Sequence, residues 1–276
     1  MSGTPRAPIV ALGEAHDARA FGGKAAGLAR LVRAGLPVPA GVALDTHTVG
    51  EIAAGADGRA LVAAAKSLGH LLAVRSSAVG EDGAAASFAG QHRTELAVPV
   101  ADVCEAVVSV AASARTASAA AYRRRMGVTG CVATGAVVQA MLAPETAGVM
   151  FTRDPRPARA GRAERVVEAS YGLGEAVVAG LVVPDGYRLA PGGVLVDVRI
   201  GDKDVRVVAA AGGGTRQVAV DLPLARARAL DDAELAELDR LAAACERVFD
   251  GPCDVEWAVE RGTVWLLQAR PVTGRP

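Results

Sequence analysis

The chain has 276 residues, 51% hydrophobic but only 3% aromatic, with 30 basic and 30 acidic side chains that cancel at neutral pH. That balance excludes the basic field of a nucleic-acid binder, so an anionic ligand must be held by a local cluster. The length suits one large domain or two lobes around a cleft, with a core built from Ala, Val and Leu.

In chain order, Gly22-Gly23-Lys24 reads as a glycine turn ahead of a helix carrying Leu28, Leu31 and Val32, which Pro37 and Pro39 end. Leu71–Val74 is a short buried strand, followed by Arg75-Ser76-Ser77. A Gly-, Ala- and Ser-rich loop covers residues 80–90. Asp102–Arg125 predicts a long helix, Val132–Met141 and Val166–Ala169 strands, and Val194–Ile200 and Val205–Ala209 further sheet around Gly201-Asp202-Lys203. Asp231 with Glu234 is a capping-box pattern for a last helix reaching about Asp250. Strands at Asp254–Val259 and Val264–Ala269 then flank Gly262. The irregular alternation with hairpins indicates α+β.

Several features limit the chemistry. Cys104, Cys131, Cys245 and Cys253 form no C-x-x-C pair and read as small buried hydrophobes. No apolar run reaches 18 residues, since Gln139, Pro144 and Glu145 interrupt Cys131–Phe151, and the N-terminus has no leader pattern. A cytoplasmic protein without a membrane span is expected. Only Lys24, Lys66 and Lys203 are lysines among the 30 basic residues, which singles them out for inspection.

The C-terminal hairpin is the most informative segment. Asp254, Glu256 and Ala258 share one strand face, and Val264, Leu266, Gln268 and Arg270 share a face of the next. Carboxylate and amide oxygens suit Mg²⁺, and a neighbouring Arg matches phosphate. A solvated polar face would read the same way. For Glu256 to oppose Gln268, Asp254 must lie across from Arg270 and Glu260 across from Val264. That calls for a three-residue Arg261-Gly262-Thr263 loop or an equivalent bulge. The Gly-Gly-Lys turn can offer N–H groups and the Lys24 charge to an anion, though it is no Walker motif and a plain structural turn would look alike. The segment Ser87–Gln91 with Thr94 can close over phosphates from the root at Arg75.

Five ordered stretches, Ala73–Ala78 (AVRSSA), Ser87–Gln91 (SFAGQ), Gly148–Pro155 (GVMFTRDP), Glu168–Val178 (EASYGLGEAVV) and Asp254–Thr273, resemble the ATP-binding domain of phosphoenolpyruvate synthase, pyruvate phosphate dikinase and rifampin phosphotransferase. The resemblance runs from Phe21 to Thr273. It implies an ATP-grasp fold, a single domain over 1–276 with lobes near 1–180 and 181–276 and the nucleotide cleft between them. It implies Lys24 and Arg75 as phosphate contacts, Gly90 and Thr94 in the covering loop, Gln139 near the adenine hinge, Glu256 and Gln268 as Mg²⁺ ligands, and Arg270 beside them. ATP and Mg²⁺ are the implied cofactors, and catalysis rests on Arg75, Lys24 and Arg270. The stretch between Asp45 and Leu71 is shorter than the family usually carries. No swivelling histidine domain follows Thr273, and His16, His47, His70 and His92 stand in no such context. The implied activity is therefore a dikinase-type ATP-dependent phosphotransferase subunit whose acceptor is a histidine domain on a separate chain. The alternatives are an ATP-grasp kinase or ligase acting directly on a small molecule, and a regulatory subunit that binds nucleotide without turnover.

Overall fold

The computed structural model describes residues 9–80, 93–113, 133–155 and 163–272. Two units emerge, each with its own sheet and core. The first comprises Met1–Arg33, Pro39–Met141 and Ala211–Gly214, the second Ala34–Val38, Leu142–Ala210 and Thr215–Pro276. The main chain division thus falls after Met141 rather than near residue 180. The reason is that the strands on both sides of residue 180 are consecutive neighbours in one sheet.

In the first unit, β1 (Ile9–Ala11), α1 (Ala18–Phe21), α2 (Gly23–Arg33), β2 (Gly41–Leu44), α3 (Thr46–Ala53) and α4 (Arg59–Lys66) precede β3 (Leu71–Ala78), β4 (Thr94–Pro99), α5 (Val103–Ser113) and β5 (Thr134–Ala140). The antiparallel sheet runs β1-β2-β5-β3-β4. Period-2 alternation sends Leu72 and Val74 of β3, Ala136 and Val138 of β5 and Leu44 of β2 to one face. There they pack with Val49, Leu61, Val103, Val107 and Val110 of α3, α4 and α5. Arg75-Ser76-Ser77, expected just beyond the strand, continues it, because Ser76 and Ala78 keep the ladder with Ala136 and Thr134. The helix expected over Asp102–Arg125 is present as α5 to Ser113, and its remainder lies outside the described residues.

In the second unit, β6 (Thr146–Phe151), β7 (Arg165–Tyr171), α6 (Glu175–Val178), β8 (Asp185–Ala190), β9 (Val194–Arg199), β10 (Val205–Ala209) and β11 (Thr215–Ala219) lead to α7 (Leu222–Ala225), α8 (Asp232–Phe249), β12 (Cys253–Glu260) and β13 (Thr263–Pro271). Six strands form an antiparallel sheet in the order β13-β12-β6-β7-β8-β9, and β10 pairs with β11. The capping box expected at Asp231 and Glu234 starts α8, and Asp250 in the left-handed region ends it. α8 packs on β12 and β13. The apolar face carries Val255, Trp257 and Val259 with Met150, Val167, Tyr187 and Leu189, all buried. Gly148 makes room for that packing. A Cβ there would lie 1.8 Å from the Glu168 carbonyl oxygen and 2.9 Å from the Trp257 ring. On this face the buried Arg165 ties β7 to α8 through Asp239 at 3.1 Å and Glu246 at 3.4 Å, and donates to the Thr152 carbonyl at 2.7 Å.

Candidate functional site

The hairpin of β12 and β13 does place Glu256 opposite Gln268 and Asp254 opposite Arg270. It does so by the bulge rather than by the three-residue loop. Arg261 and Gly262 form a two-residue turn, both with positive φ of 52° and 73°, the type I′ geometry that matches strand twist. Glu260 therefore faces Thr263, not Val264, and the register then shifts between Glu256 and Trp257, leaving Leu267 as the extra residue. The shift separates the residues that simple alternation put on one face. Val264 and Leu266 oppose Val259 and Trp257 and are buried, whereas Gln268 and Arg270 join Glu256 and Asp254 on the half-buried polar face. Burial is the cause: Val264, Leu266 and Ala269 all reach the core, and only an inserted residue between Leu266 and Gln268 permits that spacing. The turn itself is pinned by Glu145, whose carboxylate accepts from Arg261 N at 3.0 Å, while Glu260 accepts from Ala143 N at 2.6 Å.

On the polar face, Arg270 is held by Asp254, donating from Nε at 3.1 Å and from a terminal nitrogen at 2.7 Å to the same oxygen. The guanidinium is thereby fixed beside the Glu256–Gln268 pair. Hard oxygen donors from a carboxylate and an amide fit Mg²⁺, which commonly takes one or two protein oxygens and completes its shell with water and phosphate. Among the described residues no group of three or more His, Cys, Asp or Glu is arranged to hold a metal by itself.

In the first unit, Arg75 of β3 stands opposite Thr94 of β4 and opposite Val137 of β5, on the face away from the apolar cluster. The N-terminus of α2 reaches that same face: Ala25 N donates to Ser77 Oγ at 3.0 Å, and Lys24 Nζ donates to the Ser76 carbonyl at 3.1 Å. Gly22 makes the approach possible, since it has φ of 86° and a Cβ would lie 2.1 Å from the Ser77 carbonyl oxygen. Lys24 and Arg75 are both buried, and Thr94 is exposed. Gln139, also on this face, donates its amide to the Pro39 carbonyl at 3.1 Å and is buried on β5. Gly90 lies outside the described residues.

Sequence reasoning missed a buried polar hub in the second unit. Asp185 and Lys203 are both fully buried and ion-paired. Asp185 also accepts from Gly201 N at 2.8 Å, Ala229 N at 2.8 Å and Tyr187 OH at 2.9 Å. Lys203 lies 5.6 Å from the Tyr171 ring centroid, and Tyr171 OH donates to the Leu224 carbonyl at 3.0 Å. Burial, with the Asp185 charge added, pushes the Tyr187 phenol far above its ordinary pKa. The scarcity of lysine was the one available signal.

The family model of the pyruvate phosphate dikinase AMP/ATP-binding domain matches residues 58–276. The chain belongs to this family. A rifampicin phosphotransferase from Streptomyces sviceus is 39% identical over 82% of this chain, and a probable phosphoenolpyruvate synthase from Methanocaldococcus jannaschii is 40% identical over 73%. The chain spans only 26% and 17% of those two proteins. Among solved structures it is similar to a D-alanine–D-alanine ligase from Bacillus anthracis at TM-score 0.42 and 8% identity, over 90% of this chain and 55% of that one. A likeness this distant fixes neither ligand nor reaction. As a dikinase-family nucleotide-binding domain, the chain has among its described residues no helix long and apolar enough to cross a membrane.

Proposed function

We propose that this chain is the Mg-ATP-binding part of a dikinase-type phosphotransferase of ATP-grasp architecture, passing a phosphoryl group to a histidine domain on a separate chain in the cytoplasm. The observation that carries the reading is the cross-strand Glu256–Gln268 pair beside the Asp254-held Arg270. Membership in a nucleotide-binding family supports it. In this reading Glu256 and Gln268 hold Mg²⁺, which when bound neutralises phosphate charge. Arg270, oriented by Asp254, directs its guanidinium to phosphate oxygens. Lys24 and Arg75 are the phosphate contacts carried by the first unit, and Thr94, on β4 opposite Arg75, is a further one. Gln139 stays in the adenine hinge, where its bond to Pro39 would steady the strand. The work is positioning and charge stabilisation, as phosphoryl transfer requires.

The test is product analysis with ATP labelled at the β and γ positions. Alone, the chain is expected to turn ATP over slowly. With a histidine-domain protein from the same organism it should yield AMP, phosphate and acid-labile phosphohistidine. Rapid formation of ADP with phosphorylation of a small metabolite, with no such partner present, would refute the proposal.

A further inference from the structure

The polar face of the six-stranded sheet carries more than the Glu256–Gln268 pair. From β13 to β8 the ladder registers set Gln268, Glu256, Val149, Glu168 and Gly186 opposite one another in turn, and residues directly opposite share a face. Glu168 is half-buried, yet among the described residues its carboxylate has no hydrogen-bond or ion-pair partner. Arg199, opposite Gly186, lays its guanidinium nitrogens 3.8 Å from the point a Gly186 Cβ would occupy, without pairing with Glu168. Two residues along β7 and on the same face, Ser170 is 1% exposed with its hydroxyl unpartnered. The buried Ser170 hydroxyl left unsatisfied carries a desolvation cost that a bound ligand's donors or acceptors would offset.

We infer that Glu168, with Ser170 beside it, is a further divalent-cation-binding residue of this face, acting on the water shell of the ion; the inference rests on the metal reading given under Proposed function. β7 and β12 are two strand spacings apart, about 9.5 Å, with Val149 between Glu168 and Glu256 in the register. Contact through a metal-bound water adds a hydrogen bond of about 2.7 Å to the metal–oxygen distance of about 2.1 Å, so it asks less lean of the Glu168 side chain than direct ligation does. Mg²⁺ gives up its water reluctantly, so a carboxylate set to receive water hydrogen bonds strengthens binding without displacing the shell, and such outer partners are worth roughly 10- to 100-fold in metal affinity.

The experiment is calorimetric titration of Mg²⁺ into the full chain saturated with the β,γ-imido analogue of ATP. Glu168→Gln should weaken Mg²⁺ binding by roughly 10-fold or more. Glu175→Gln, which removes an exposed carboxylate bonded to Thr215, should leave it unchanged. The metal-free Glu168→Gln chain should melt at the wild-type temperature, since no protein partner is lost. Unchanged Mg²⁺ affinity in Glu168→Gln, alongside its loss in Glu256→Gln, would overturn the inference and leave the metal reading standing. Unchanged affinity in both variants would overturn both. A lowered melting temperature without metal would assign Glu168 to packing and overturn the inference as well.

Discussion

Replacing Asp185 by Ala should come close to unfolding the second unit, and by more than replacing its partner does. Asp185 accepts from Lys203, Gly201 N, Ala229 N and Tyr187 OH, all within a site that excludes water. Its removal leaves the Lys203 ammonium buried without its counter-ion, which costs about 3–5 kcal/mol. The Gly201 N–H loses its acceptor as well, at about 1–3 kcal/mol where no water replaces it, whereas Ala229 N keeps the Tyr187 hydroxyl at 3.1 Å. Against a typical domain stability of about 5–15 kcal/mol, the loss is a large share of the total. Lys203→Met is a milder change. The carboxylate keeps three donors, the Met side chain fills the place of the lysine stem, and the lost charged hydrogen bond is worth about 1.5–3 kcal/mol. The double variant should therefore be more stable than the sum of the single losses implies, because no ammonium is then stranded. Urea unfolding read by tryptophan fluorescence isolates the effect, since both tryptophans, Trp257 and Trp265, lie in this unit. A Lys203→Met chain as unstable as Asp185→Ala would refute the argument that the stranded cation dominates.

Two further outcomes are expected. Arg75→Ala should lower phosphoryl transfer by about 10²-fold or more, the scale of a charge-stabilising group, while adenosine binds as before; an equal loss of adenosine affinity would assign Arg75 to structure. Burial pushes the Cys245 thiol up to about 12 from 9.0, so the unfolded chain ionises first, stability is fully present below pH 9 and falls as pH rises towards 12. Cys245→Ala should flatten that part of the stability–pH curve in urea titrations, and an unaltered slope would show that other groups set it.

What the sequence made legible was local. Asp231 with Glu234 marked a helix start through bonds three positions apart, and Gly22 with Lys24 marked another, whose first turn is held by Ser76 and Ser77 far along the chain. The Glu256–Gln268 pairing was legible because a two-strand hairpin has few registers. Its means was harder to see. Whether a three-residue loop or a bulge supplied the odd residue depends on whether Leu266 or Leu267 enters the core, and two adjacent leucines leave that open until Trp257 is packed. Glu168 was not legible, and of the Asp185–Lys203 pair only the scarcity of lysine gave a sign. Their significance comes from strands that meet only in the folded sheet: β7 against β6 and β12, and β8 against the turn that holds Lys203. The boundary between the units was misplaced for the same reason, since alternation along the chain does not reveal that β7 and β8 are neighbours.

The bulge at Leu267 also explains how one sheet serves two demands. An uninterrupted β13 carrying Val264 and Leu266 inward would carry Gln268 inward with them and turn Ala269 to the polar face. That would set the buried amide opposite Val255 and put Leu267 opposite Glu256 in place of Gln268. One extra residue reverses the phase midway, so the turn-proximal half of β13 completes the core while the distal half presents Gln268 and Arg270 beside Glu256 and Asp254. On β6 and β7 the same separation needs no insertion: Met150 and Val167 point to the core, Val149 and Glu168 to the other face. Packing then depends on one set of side chains and, in the proposed reading, ligand chemistry on the other. Charge changes at Glu168, Glu256 or Gln268 should therefore alter binding with little effect on folding, whereas a change at Gly148 or Trp257 reaches the polar face only by disturbing the strands that carry it.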